Sequence, residues 1–185
     1  MDGPRVLLLG LMATGKTTVG RLLATRLSAN YLDNDELVRL ATGTALEELR
    51  LRQGEPGLRI AESQALTAAL ELPAPAVAGV AAGVVLDPEN RKRLVATDAT
   101  VVWLRARPET LARRVGSGGD RPWLRPDPQT VFERMMQERK AAYEQISDLT
   151  VDVDERTPAQ IVDVIVNYLE SKSVHPTRQV PGQDE

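Results

Sequence analysis

The 185-residue chain contains no cysteine, so disulfides and Cys-based metal sites are excluded. Its one histidine, His175, stands in a polar tail, and no catalytic role is expected of it. No apolar run approaches the roughly 20 residues of a membrane-spanning helix. The N-terminus runs almost directly into the first apolar segment, which leaves no room for a secretory signal and makes a cytoplasmic protein the expectation. An excess of positive charge is missing too. A net charge of −3 and a pI near 5.4 argue against nucleic acid as the main partner. What remains is an ordinary soluble composition, long enough for one domain with a real core.

The most informative stretch present is Gly10-Leu11-Met12-Ala13-Thr14-Gly15-Lys16-Thr17, which fits the phosphate-binding loop G-x-x-x-x-G-K-[ST]. The context agrees. Residues 5–10 form a short apolar run, as in a buried parallel strand, and Val19, Leu22, Leu23 and Leu27 follow at helical spacing. The chemistry follows from the residue types. Gly10 and Gly15 let the loop wrap so that backbone N–H groups face phosphate oxygens, and the helix starting near Lys16 adds its positive dipole end. Lys16 can reach the β- and γ-phosphates, and the Thr17 hydroxyl can ligate Mg²⁺.

Strand and helix patterns then alternate. Further strands are predicted at 30–33, 74–80, 99–105 and 149–153. Helices are predicted at 35–41, 45–53, 57–72, 88–95, 108–115, 128–146 and 157–170, the last with Thr157 as N-cap and Pro158 at N1. This alternation implies an α/β fold, a parallel sheet with helices on both faces. The organisation is a single domain over residues 1–170. A Gly- and Pro-rich loop at 116–128 interrupts it, and a polar tail at 171–185 is expected to be disordered.

Asp33-Asn34-Asp35 follows the second strand, at the sheet end where open parallel sheets bind ligands. One carboxylate can hold a metal-bound water while the other orients an acceptor hydroxyl. The competing reading is helix capping by Asp33 or Asn34, with Asp35 and Glu36 in the first turn. Arg139 lies inside an apolar helical stripe of Phe132, Met135, Met136, Ala142, Tyr143 and Ile146. A cation there needs either a protein carboxylate or a bound anion. Arg59, one turn from Glu62, is either a structural pair or a second anion site. Arg121, beside Trp123 in the Gly/Pro-rich loop, suits a lid that closes over phosphates. Of Arg113 and Arg114, one could stack on an adenine ring, or both could be a solvated face.

Two further absences narrow the class. There is no Asn-Lys-x-Asp guanine motif and no apolar strand ending in Asp-Glu, so a GTPase and a motor-type ATPase are both disfavoured. A small-molecule kinase remains. Over residues 4–170 the chain resembles the shikimate kinase family. The matches run in order: the phosphate loop through Thr18, Leu32-Asp-Asn-Asp35, Thr42-Gly43, Gly54-Glu55, Arg59-Ile-Ala-Glu62, Asp120-Arg-Pro-Trp-Leu124, Glu138-Arg139 with Tyr143, and Val151-Asp152. The resemblance implies a P-loop NTPase fold of the nucleoside-monophosphate-kinase type, three-layered α/β/α with a five-stranded parallel sheet and a lid. It implies ATP and Mg²⁺, a small carboxylated alcohol as acceptor, and a monomer without nucleic-acid or membrane partners. Gly10, Ala13, Thr14, Gly15, Lys16, Thr17, Thr18 and Arg114 would bind nucleotide, and Thr17 and Asp33 would serve the metal. Asp35 would engage the acceptor hydroxyl, Arg59 and Arg139 would clamp its carboxylate, and Arg121 would close with the lid.

The acceptor half departs from the family. Ala81-Ala82-Gly83 replaces a Gly-Gly-Gly stretch, so two added methyls either crowd the acceptor or force another backbone conformation. Arg50 and Leu58 stand where the family has pocket phenylalanines, and Ala13 replaces a usual glycine, a change expected to be tolerated. The complete set Asp35, Arg59, Arg121 and Arg139 favours shikimate. The alternatives are a related kinase for another carboxylated or phosphorylated alcohol, such as a gluconate-like sugar acid with an anionic group for Arg50, and a non-catalytic nucleotide-binding module. Retention of Asp33 and Asp35 argues against the last.

Overall fold

Val6, Leu7, Leu8 and Leu9 are at most 1% exposed, as are Val101, Val102, Trp103 and Leu104. Consecutive buried residues in a strand mean that both faces of the sheet are covered, the mark of a parallel sheet between helices. The computed structural model describes residues 3–115, 124 and 127–174 and shows that sheet. Its strands are β1 (Arg5–Leu9), β2 (Asn30–Leu32), β3 (Ala76–Gly79), β4 (Thr100–Arg105) and β5 (Leu149–Asp152), in the order β2-β3-β1-β4-β5. All four pairings are parallel. The register sets Leu8 against Gly79 and Leu9 against Trp103, so the loops leaving β1, β3 and β4 open along one edge.

The helices are α1 (Lys16–Arg26), α2 (Asn34–Thr42), α3 (Leu46–Leu70), α4 (Pro88–Ala96), α5 (Pro108–Val115), α6 (Pro128–Ile146) and α7 (Pro158–Val174), with a 3₁₀ turn at Val84–Leu86. Four start at proline, which fits N1 because its missing N–H would have no partner there. Asp87 and Asp127 cap α4 and α6 by accepting from the amides of Glu89 and Gln129. Thr157 and Gln160 exchange bonds at the start of α7. α3 is broken at Gly54, where φ is 64° and ψ is −162°, so its two arms correspond to the two helices predicted there. α7 runs four residues past its predicted end at 170, into the segment assigned to the tail.

One sequence expectation fails in α1. Leu22 is 45% exposed, and the buried face is Val19, Gly20, Leu23 and Ala24. Gly20 belongs to that face because the Tyr31 ring packs onto it: a Cβ there would meet the ring at 2.1 Å.

Candidate active site

The phosphate loop leaves β1 at Gly10, whose φ is 142° and where a Cβ would lie 2.6 Å from the Leu104 carbonyl oxygen. Only glycine meets both conditions. Gly15, at φ 98°, forms the N-cap of α1. Ala13 is left-handed, at φ 63°. That conformation costs an alanine about 1–2 kcal/mol, so the change from glycine is tolerated with strain. The loop is tied internally. Thr14, 2% exposed, donates through Oγ1 to the Leu11 carbonyl at 2.9 Å, and Lys16 Nζ donates to the carbonyls of Gly10 and Leu11 at 2.8 and 3.1 Å.

Beside the loop is a cavity of about 400 Å³ lined by Thr14, Gly15, Thr18, Arg114, Arg156 and Pro158, among others. Arg114 bridges its walls, donating to the carbonyls of Ala13 at 3.3 Å and Val153 at 3.0 Å. Sequence reasoning found Arg114 and missed Arg156, which comes from the loop after β5 and donates to the Asp152 carbonyl at 2.7 Å. Asp152 itself ties β5 to β4 through Arg105, and that hydrogen bond holds its carboxyl below the usual range.

Asp33 satisfies the structural reading of its position. It caps α2, accepting at Oδ1 from the amides of Asp35 and Glu36 at 3.1 Å each, while its own amide donates to Glu36 Oε2 at 2.9 Å. This capping box does not use Oδ2. Thr17 stands exposed at the start of α1. Tyr31, another residue the sequence reading missed, brings a buried hydroxyl close to Thr17 and Gly79. Burial pushes that phenol up from its ordinary pKa. Its local signal was weak, because a tyrosine in a three-residue edge strand reads as ordinary packing.

Another cavity, about 490 Å³, is lined by Lys16 itself. It gathers Lys16, Arg50, Arg59, Arg139 and the Ala81-Ala82-Gly83 turn, with Leu58 in its wall. Asn34 also lines it; Asp35, exposed in the first turn of α2, does not. Arg59 Nη1 meets Glu62 Oε2 at 2.7 Å, and its Nη2 lies 3.4 Å from Glu55. Arg139 is only 5% exposed. Its Nη1 donates to the Met135 carbonyl at 3.1 Å and lies 3.4 Å from Glu138, while its buried Nε has no partner among the described residues. A buried, incompletely paired guanidinium on a residue that lines a cavity is arranged for an incoming anion.

The turn after β3 explains its own composition. Ala81 and Ala82 have no positive φ, so the two methyls force no left-handed backbone. Gly83 is needed for space instead: φ is −84°, but a Cβ would fall 1.8 Å from Arg59 Nη1 and 2.9 Å from Glu62 Oε2. Tyr143 holds the turn by donating to the Ala82 carbonyl at 3.1 Å, and its ring stacks on Trp103 at 5.2 Å. Gly83→Ala should therefore displace the flexible Arg59 head while sparing the fold. The expected result is a KM for the acceptor raised about tenfold or more with little change in thermal midpoint, checked by steady-state kinetics and thermal denaturation.

Glu62 adds a pH dependence. Burial pushes its carboxyl above the usual range, although Arg59 pulls the other way. Its ionised form holds Arg59, so acidification should raise the acceptor KM from a pH above the ordinary carboxylate range. Because the folded state holds this proton more tightly than the unfolded chain, the group costs stability as pH rises from its ordinary pKa through the raised one. Glu62→Gln should remove both trends, as measured by KM and urea midpoint across that pH range.

Arg121 and most of the predicted lid at 116–128 lie outside the described residues, as does His175. Among the described residues no cluster of acidic, His or Cys side chains could hold a metal by itself, and no helix is long and apolar enough to cross a membrane.

The geometry can be set beside known proteins. The pattern of the shikimate kinase family matches residues 12–170. A shikimate kinase of Synechococcus sp. (strain CC9605) is 34% identical over 181 residues, covering 97% of this chain and 89% of its own. One from Streptomyces coelicolor is 33% identical, covering 93% and 99%. Among solved structures, shikimate kinase from Acinetobacter baumannii in complex with shikimate superposes with a TM-score of 0.82 at 26% identity, over 92% of this chain and 95% of that one. A gluconokinase from Sinorhizobium meliloti, at 17% identity, a TM-score of 0.58 and coverage of 95% and 96%, shares the fold alone. The family's pattern over most of the chain, and relatives a third identical over nearly all of it, make this chain a member of the shikimate kinase family.

Proposed function

We propose that this protein transfers the γ-phosphoryl group of ATP to a ring hydroxyl of shikimate, giving ADP and shikimate 3-phosphate. The observation that supports the reading is the incompletely paired guanidinium of Arg139, a residue that lines one cavity with Arg59 and Lys16. Two arginines suit a carboxylate, because their planar donors match its two oxygens. Arg59 and Arg139 would fix the acceptor by its carboxylate, and Asp35 would orient the reacting hydroxyl and accept its proton. Lys16 would leave the loop carbonyls for the phosphates, which offer it a full charge in place of two dipoles.

Mg²⁺, when bound with the nucleotide, neutralises phosphate charge. This site fits the ion in the way such sites do, with one hydroxyl and a carboxylate acting through water, so no acidic cluster is required. Thr17 would supply the hydroxyl, and Asp33, whose Oδ2 the capping box leaves out, would hold the water. Arg114 and Arg156 would border the base, and Arg121 would close over the phosphates. The same reading makes the enzyme a cytoplasmic monomer whose partners are small molecules. Mass spectrometry of shikimate after incubation with Mg-ATP tests it. One added phosphoryl group is expected, and unmodified shikimate beside bound ATP would refute it.

A further inference from the structure

Arg50 comes from the arm of α3 before the break at Gly54, whereas Glu55 and Arg59 come from the arm after it. The break turns all three toward the cavity that holds Arg139. Glu55 there lies between two cations, with Oε1 3.6 Å from Arg50 Nη2 and Oε2 3.4 Å from Arg59 Nη2. A carboxylate is thus already seated between Arg50 and Arg59, and it is a loosely held one: both distances exceed hydrogen-bond length, and the Glu55 side chain is 59% exposed. Glu55 can swing into water, and Arg50 and Arg59 then present the same gap to another carboxylate. The carboxylate clamp of Arg59 and Arg139 shares Arg59 with this gap; its other arm, Arg139, is almost fully buried, whereas Arg50 is half-exposed.

We infer that Arg50 gives this pocket a second carboxylate subsite, now filled by Glu55, so that it holds a small hydroxy acid with two carboxylates more tightly than one with a single carboxylate. The inference rests on reading this cavity as the acceptor site. It adds a specificity-determining residue to it. Arg50 is half-exposed here, so it offers a second carboxylate a charge-assisted contact that an apolar side chain at this position would not. Shikimate, with one carboxylate, uses Arg59 and Arg139 and leaves Arg50 to Glu55.

Calorimetry with benzoate and isophthalate, one and two carboxylates on the same ring, tests this on the full-length protein. Isophthalate should bind the wild type about tenfold more tightly than benzoate, the size expected of one charge-assisted contact at a half-exposed arginine. In Arg50→Phe, and in Arg50→Met as a second variant, the ratio should fall to about threefold or less. Glu55→Gln should strengthen isophthalate more than benzoate, since it removes the internal competitor. Equal binding of the two by the wild type, or a ratio unchanged in both Arg50 variants, would overturn the subsite. If Arg139→Met left benzoate binding intact, the acceptor-site reading itself would fall, and the subsite with it.

Discussion

Arg139→Met is expected to raise the KM for shikimate by about 100-fold while leaving the thermal midpoint unchanged or higher. The two halves of this result have one cause. Arg139 occupies a stripe of α6 whose other members include Phe132, Tyr143 and Ile146, all at most 1% exposed. Its guanidinium has lost nearly all its water and recovered little: a backbone carbonyl, a Glu138 carboxylate at 3.4 Å and no partner for Nε. Replacing such an incompletely paired charge with an apolar side chain of similar length is often neutral or stabilising by about 1–4 kcal/mol. The same incompleteness makes the residue useful, because an acceptor carboxylate in the cavity adds a second charge and further acceptors to those it already has. Losing that charge-assisted contact removes about 3 kcal/mol of binding, roughly two orders of magnitude in KM. A variant that is several degrees less stable, with unchanged KM, would mean that Arg139 serves the fold.

Asp35→Asn is expected to lower kcat by about 10³-fold with ATP affinity nearly unchanged, the range lost when a positioned proton acceptor is removed. Asparagine preserves shape and can still hydrogen-bond, but it cannot take the hydroxyl proton. Phosphoryl transfer relies on positioning and charge, so removal of this one group should act on the chemical step rather than on nucleotide binding. The residue stands in the first turn of α2, on a backbone fixed by the Asp33 cap. Measuring kcat by single-turnover kinetics and ATP affinity by calorimetry separates the two effects. Full activity in the variant would remove Asp35 from the mechanism.

How much of this was readable in the sequence depended on the range of the interactions. The phosphate loop, the strand before it and the helix after it are local, and all three stand where the pattern put them. Helix starts at Pro88, Pro128 and Pro158 follow from single-residue chemistry, and so does the break of α3 at Gly54. The misses are long-range. Leu22 has helical spacing for the core but is exposed, because the buried face of α1 is Val19, Gly20, Leu23 and Ala24, with Tyr31 packed on Gly20 nearly opposite Leu22. Tyr31 reaches the loop only once β2 has joined the sheet beside β3. Arg156 joins the cavity beside the phosphate loop through the loop after β5, far from the motif in sequence. The direction of Arg50 depends on the break four residues later. Of the two readings of Asp33, the structure displays the capping one, which uses the Oδ1 carboxylate oxygen.

The most direct test of the central claim is the rate of ADP release from Mg-ATP by the purified protein, with and without millimolar shikimate. Stimulation by shikimate to about 1–100 turnovers per second, the range of kinases, is the predicted result. Bound ATP with no stimulation by shikimate would contradict it.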